Sequence, residues 1–253
     1  MRAKIFNTIK SAICEYEEAA GLRDFWNEPI IEIISAKNEK ILALKEVVSP
    51  EHVLPGDYLS DAKSIICFFI PFHESIVNSN VEGRLASTEW ALSYIKTNDL
   101  IRIINDKIEE LMAKNGCKTG KIPATHDFDE KKLISNWSHR HLAYIAGLGT
   151  FGINNMLITE KGCCGRVGSV ITNYEFSEYK QSGKIMEKCL NKRDGSCGMC
   201  RKRCGVNAYE NNNFDRFRCY QMCLENAEFH KNIGFADICG KCMAGLPCSI
   251  KMP

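Results

Sequence analysis

Nine of the 14 cysteines in this 253-residue chain fall between Cys189 and Cys248, and the other five are scattered over the first 188 residues. Thiols at that density either staple a small fold as disulfides or hold metal, and the redox compartment decides between the two. The N-terminal stretch MRAKIFNTIKSAICEYEEAAGL interrupts every apolar run with charge. It offers neither the apolar core of an export signal nor a small-residue cleavage site. No stretch approaches the roughly 18–20 apolar residues of a membrane span. The expectation is a cytoplasmic protein with no membrane association, whose thiols stay reduced and bind metal.

Around that cluster the chain is ordinary. Hydrophobic residues make up 45% and charged residues 25%, enough to bury a core and exclude general disorder. At roughly 100–200 residues per domain, the length allows one large domain or a medium and a small one. Basic and acidic residues number 33 and 31, a balance that gives no electrostatic argument for a nucleic-acid partner.

Residues 3–20 carry Ile5, Phe6, Ile9, Ala12, Ile13 and Tyr16 on one helical face, with Gly21 where a C-terminal cap belongs. Pro29–Ile34 reads as a strand, Ile41–Val48 is ambiguous, and Leu54–Asp57 is a turn. Ser64–Ile70 is a continuous apolar run of strand length, which predicts a central strand buried on both faces. Ser87–Lys114 is helical with a break expected near Thr97-Asn98-Asp99. Ser138–Ala146 is a further helix stopped by Gly147. Met156–Thr159 and Val167–Thr172 read as strands joined by a glycine-rich turn that contains an exposed Cys163-Cys164 pair. Cys14, Cys67 and Cys117 read as small core hydrophobes. Apolar strands give way to cysteine, charge and asparagine near residue 180, so the expected domains are 1–180 and 181–253.

The thiol spacing is Cys189-x7-Cys197-x2-Cys200-x3-Cys204, then Cys219, then Cys239-x2-Cys242-x5-Cys248, with Cys223 left over. The run Cys197–Cys204 resembles the last three cysteines of the bacterial ferredoxin motif, in which the fourth cysteine ligates the other cluster. Asp194 stands where the first cysteine would be and Gly205 where proline is usual. Cys189 supplies the missing ligand if residues 190–195 form a loop. The crossing rule of that motif implies two 4Fe–4S clusters. One takes Cys189, Cys197, Cys200 and Cys248; the other takes Cys204, Cys219, Cys239 and Cys242, with Cys223 a competitor for Cys219. The alternative is zinc, because Cys197/Cys200 and Cys239/Cys242 are also two C-x2-C pairs. Gly198, Gly205, Gly240 and Gly245 would let backbone N–H groups approach the sulfurs.

The stretch Trp137–Gly152, WSHRHLAYIAGLGTFG, resembles the glycine segment of the epoxyqueuosine reductases, cobalamin-dependent iron–sulfur enzymes related to reductive dehalogenases. Leu54-Pro55-Gly56 followed by Ala62–Pro71, the pairs Gly168-Ser169 and Ile171-Thr172, and the cysteine order are similar to the same family. The resemblance covers about residues 50–250. It implies an α/β sandwich (a mixed sheet with helices) that holds a corrinoid, followed by a small ferredoxin-like α+β iron–sulfur domain. It implies a reductase that passes low-potential electrons through two clusters to cobalamin. The alternative is an electron-transfer or corrinoid-reducing protein without its own turnover.

The implied partners are a low-potential electron donor such as ferredoxin or flavodoxin, and a small-molecule substrate or a corrinoid protein. Ser138, Arg140, Gly147, Gly149 and Gly152 become cofactor-binding candidates. His139 and His141 become proton-donor candidates, because the family's aspartate has no counterpart in Lys131–Asn136; the nearest acids are Asp127, Asp129 and Glu130. Thr150, Phe151 and Ile153 depart from the family pattern. The charge balance and the chain's end soon after Cys248 make tRNA an unlikely partner on this reading. The glycines Gly147, Gly149 and Gly152 also spell a dinucleotide fingerprint, but they follow a helix rather than a strand, which argues against a Rossmann site.

Overall fold

The computed structural model describes residues 1–120, 122, 128–179, 186–210 and 213–253. In chain order, α1 (Arg2–Ala20) leads to β1 (Ile30–Ser35), three short helices α2 (Glu39–Leu42), α3 (Leu44–Val47) and α4 (Pro55–Tyr58), and β2 (Ser64–Pro71). Then come α5 (Glu74–Ser79), the long α6 (Thr88–Ala113), β3 (Thr119–Gly120), β4 (Phe128–Asp129), β5 (Ile134–Ser135) and α7 (His139–Ile145). After β6 (Gly149–Phe151), β7 (Leu157–Thr159) and β8 (Gly165–Thr172), the last third holds α8 (Leu190–Asp194), α9 (Met199–Lys202) and α10 (Arg216–Phe229).

The main sheet has the order β1-β2-β8-β3. Every described pairing is antiparallel, where a mixed sheet was expected. β2 is the central strand and is buried along its whole length, as its unbroken apolar run predicts. Its side chains alternate between two cores. Ile66, Phe68 and Ile70 pack with Ile33 and Val170 beneath α1 and α6. Ile65 and Cys67 pack with Ile34 and Ile171 against α7, α2 and α3. The result is a helix–sheet–helix sandwich, and each fully buried Ile or Phe contributes about 1.5–3 kcal/mol. Phe68 sits opposite Gly168, and a Cβ on Gly168 would lie 2.2 Å from the Phe68 ring. That glycine lets the ring lie across β8.

Several expectations change. The expected break at Thr97 does not occur, and α6 runs unbroken from its Ser87 cap. Thr97 is fully buried, donates to Ser93 O in the preceding turn and accepts from Trp26 Nε1 at 2.8 Å. A polar triplet that reads as a cap is therefore an internal anchor. Ile41–Val48 resolves into two single-turn helices. β7 and β8 are not partners; β7 pairs with β6 and β8 with β2. Cys163 and Cys164 are 2% and 1% exposed, not a surface pair. Cys67 is buried as expected, but Cys14 is exposed and Cys117 only partly covered. The expected domain boundary at 180/181 lies outside the described residues. No described helix is long and apolar enough to cross a membrane.

Candidate metal centres and the adjoining cleft

Seven of the nine C-terminal thiols lie in short turns or on the single-turn α9, and Cys219 and Cys223 lie on α10. Residues 190–194 form α8 and not an open loop, and Gly195 at φ 76° reverses the chain toward Cys197. Cys189, Cys197, Cys200 and Cys248 line one small pocket together with Gly152, Asn154 and Leu246. Cys200 lies in the field of Cys248, Cys189 and Cys197, and burial pushes its thiol up to about 11. Cys242 lies in the field of Cys219, Cys239 and Cys204, and burial pushes it up to about 12. Cys239 likewise faces Cys219 and Cys204. Cys223 and Cys219 perturb one another, which places them close together on α10.

Cys204 and Cys242 have further polar partners. Ala208 N–H donates to Cys204 Sγ at 3.3 Å, and the Tyr209 hydroxyl reaches both Asn154 O at 3.1 Å and Cys242 Sγ at 3.8 Å. Asn154, itself 1% exposed, donates to Cys242 O at 2.7 Å. Gly240 adopts φ 73° between Cys239 and Cys242, and a Cβ there would lie 2.3 Å from the Trp90 ring. Its requirement is close packing on α6. Gly198 and Gly205 have nothing within 4 Å of a built Cβ. Among the described residues, no three His, Cys, Asp or Glu side chains are close enough to ring one metal ion. A tetrahedral zinc with Zn–S of about 2.3 Å would require that closeness.

A cleft of about 450 Å³ opens where β2 ends and β8 begins. Its apolar wall includes Phe69, Trp90, Trp137, Met156 and Met243, and its polar groups are Ser138, His139, Arg140, Arg166 and Asp237. Cys163 also lines it. The Arg166 guanidinium sits 4.5 Å from the centre of the Tyr94 ring and donates to Asn98 Oδ1 at 2.9 Å. Tyr94 O–H in turn donates to Asp237 Oδ1 at 2.5 Å. Arg140 donates to Asn155 O at 2.7 Å. Two cations beside aromatic faces suit an anionic or planar ligand.

Sheet and helix cooperate to hold His139. Its Nδ1 lies 2.8 Å from Ser169 Oγ, and Trp137 Nε1 donates to that same oxygen at 3.1 Å. Trp137 can only donate, so the Ser169 oxygen accepts from it and shares its remaining donor and acceptor capacity with His139 Nδ1, which fixes the imidazole's orientation. His141, by contrast, does not line the cleft; its Nδ1 pairs with Ser138 Oγ at 2.7 Å and its ring packs on Phe151. Burial, then the nearby Arg140 and His52, push its pKa down to about 4.

The three candidate glycines are also absent from the cleft wall. Gly147 turns the chain after α7 at φ 85°. A Cβ on Gly149 would lie 2.2 Å from Ile158 O, within the β6–β7 ladder, and one on Gly152 would lie 2.5 Å from Asn154 Oδ1. Of the acids considered, Asp127 lies outside the described residues, and Asp129 accepts from the backbone N–H groups of Lys131 and Lys132. Sequence reasoning missed Ser169, Arg166, Asp237, Asn154 and Tyr209. Ser169 and Arg166 share β8 and the others come from separate segments, and only the fold brings them to the site.

No protein-family model and no curated protein matches the chain. Solved structures do. A selenomethionine-labelled epoxyqueuosine reductase matches with a TM-score of 0.55 and 21% identity over 97% of this chain and 66% of that one. The epoxyqueuosine reductase from Bacillus subtilis, with its catalytic aspartate loop swung out of the active site, matches at 0.53 and 17% over 97% and 66%. An epoxyqueuosine reductase with a tRNA-Tyr epoxyqueuosine-modified stem loop matches at 0.53 and 20% over 95% and 66%. The class defined here is therefore a mixed α/β fold with antiparallel sheets. The particular fold is that of the epoxyqueuosine reductases, of which this chain spans just under two thirds. The last match corrects the expectation that tRNA is an unlikely partner: an epoxyqueuosine reductase of this fold is described with a modified tRNA stem loop.

Proposed function

We propose that this chain is an iron–sulfur oxidoreductase that reduces a modified nucleoside presented on an RNA stem loop. Two 4Fe–4S clusters would be held by Cys189, Cys197, Cys200 and Cys248 and by Cys204, Cys219, Cys239 and Cys242, in a ferredoxin-like part spanning 181–253. The single observation that supports the reading is the small pocket lined jointly by Cys189, Cys197, Cys200 and Cys248. Thiols raised to about 11 and 12 by burial, as Cys200 and Cys242 are, lose their protons only to a cation that compensates the charge, and iron supplies that compensation.

The cleft, lined mostly by residues 69–167 with Asp237 and Met243, would offer a cobalamin an apolar wall for the macrocycle and Ser138, Arg140 and Arg166 for its polar periphery. When bound, such a cofactor supplies low-valent cobalt for the reduction. The chain's own residues do the rest. Trp137 and the rest of the aromatic wall exclude water. Arg140 and Arg166 attract and orient anionic groups. His139, held by Ser169, presents its imidazole at the cleft as a proton donor.

Anaerobically purified protein is expected to carry about eight irons and eight labile sulfides, with broad visible absorbance. With cob(II)alamin and dithionite it should reduce an epoxyqueuosine-bearing tRNA-Tyr stem loop. His139→Ala should slow turnover about 10²–10⁴-fold while keeping its iron. Zinc without iron would end the cluster reading. Iron-replete protein that leaves the stem loop unchanged would end the reductase reading and favour electron transfer.

A further inference from the structure

The cleft holds two guanidiniums and a carboxylate that do not pair. Among the described residues neither Arg140 nor Arg166 forms an ion pair with an acid, yet Asp237 lines the same cleft. Arg166 donates to Asn98 Oδ1 at 2.9 Å, which takes one of its five N–H donors. The Tyr94 ring covers one face of that guanidinium, with its centre 4.5 Å from Cζ. The Tyr94 hydroxyl donates to Asp237 Oδ1 at 2.5 Å. Tyr94 therefore touches both charges, the cation with its ring and the carboxylate with its O–H.

Three separate segments fix this arrangement. Tyr94 and Asn98 are four residues apart and share one face of α6. Arg166 reaches them from β8. Asp237 arrives with the chain that docks on α6, where Ala236 is fully buried in a cluster with Ala91 and Tyr94. Gly234, at φ 130°, eases that approach, because a Cβ there would lie 3.0 Å from Ile95 Cδ1.

We infer that Tyr94 keeps Arg166 available to a phosphate group of the cleft's ligand, by tethering the Asp237 carboxylate that would otherwise neutralise it. The inference rests on the reading of the cleft as an anion-binding site. An arginine paired with a carboxylate has its bidentate edge occupied and its charge offset. One stacked on a tyrosine ring keeps both. A carboxylate released into a cleft with two guanidiniums is drawn onto one of them, and the hydroxyl bond to Asp237 prevents that. Tyr94 is thus a positioning residue that acts through Arg166. The phosphate is a phosphodiester, whether it belongs to an RNA backbone or to the nucleotide tail of a corrinoid.

The test is calorimetric titration of anaerobic full-length protein with inorganic pyrophosphate, with metal content assayed on each sample. Arg166→Ala should weaken binding about 10–100-fold, and Tyr94→Phe, which keeps the ring and removes the hydroxyl, about tenfold. Asp237→Asn keeps an acceptor and removes the charge, so it should bind at least as tightly as the wild type. The double variant Tyr94→Phe/Asp237→Asn should recover wild-type affinity, since no carboxylate remains to pair with Arg166. A merely structural role for Tyr94 requires the opposite, a double variant no better than Tyr94→Phe. That result would overturn the inference, as would unchanged affinity in Tyr94→Phe, weaker binding in Asp237→Asn, or pyrophosphate binding that does not depend on Arg166. If Tyr94→Phe fails to fold, the Asp237→Asn and Arg166→Ala arms decide. Two more ligands separate the sources. If RNA supplies the phosphate, Tyr94→Phe should raise KM for the stem loop more than it lowers kcat. If a corrinoid supplies it, the variant should weaken binding of cob(II)alamin but not of cobinamide, which lacks the nucleotide tail. Neither change would overturn the phosphate assignment. Arg166-dependent pyrophosphate binding in a protein that leaves the stem loop unreduced would end the reductase reading and leave this inference standing.

Discussion

His141 is held neutral by its surroundings, and that makes it a liability in acid. Its ring is partly buried against Phe151, and burial together with Arg140 and His52 depresses its pKa to about 4. Unfolded, it would titrate near 6.5. Between those values the unfolded chain binds a proton that the folded chain refuses, so stability falls as pH falls. The loss should reach about 2–3 kcal/mol between pH 6.5 and 4. His141→Asn should flatten this part of the pH–stability curve, as read by urea denaturation at a series of pH values. Parallel curves for the variant and the wild type would show that another group titrates. His52, depressed by its own burial, would be the next to replace. The two histidines also illustrate what sequence can resolve at this scale. His139 and His141 look equivalent in the string, two residues apart on one short helix. Only the arrival of Ser169 from β8 at one, and of Phe151 from β6 at the other, separates a cleft residue from a packed one.

At the scale of elements, α6 depends on a polar residue in its middle. Thr97 is fully buried and accepts the only N–H of the Trp26 ring. Thr97→Val keeps the shape but strands that donor, and should cost about 1–3 kcal/mol in chemical denaturation. Thr97→Ser should cost far less, and equal losses for the two would assign the effect to packing. What the sequence showed of the elements follows from how local their causes are. The stripe of α1, the Gly21 cap and the unbroken apolar run of β2 are each written within a few residues, and each appears as expected. The Thr97–Asp99 triplet is locally indistinguishable from a helix cap, because its partner Trp26 lies 71 residues away. The Cys163-Cys164 turn reads as exposed for the same reason, since what covers it is the chain's own C-terminal segment. The proximity of Cys197 and Cys200 was legible because the spacing of thiols within a turn is local. The cleft was not, because β2, β8, α6 and α7 each contribute only part of its wall.

At the scale of the whole molecule, the thiol-bearing segment is short of regular structure and is tied to the sandwich at several discrete points. Asn80 donates to Cys239 O at 2.9 Å, and Lys241 Nζ donates to Asn80 O at 3.1 Å and Glu82 O at 2.6 Å. Asn154 donates to Cys242 O, Cys163 N–H donates to Cys248 O, and Gly240 packs on Trp90. Each tie is made by a candidate ligand or a residue beside one, so the ties form only if the ligand turns hold their shape. In a segment with one helix longer than five residues among those described, α10, that shape has little support except bound metal. Stripping iron anaerobically with a chelator should therefore unfold the molecule in part rather than as a whole. In hydrogen exchange, protection should be lost over 186–253 and weakened over 79–95 and 152–165, where the ties land. The buried amides of β2 and of α1 should keep theirs, since Ile5, Ile9, Ile66 and Phe68 are fully buried in a core built mainly by the sandwich, to which Cys189 and Cys248 add only an edge. Protection lost evenly from β2 as well would show sheet and metal segment to be one cooperative unit. Protection kept throughout would show that the ligand turns stand without metal, and the stabilising role assigned to it would be withdrawn.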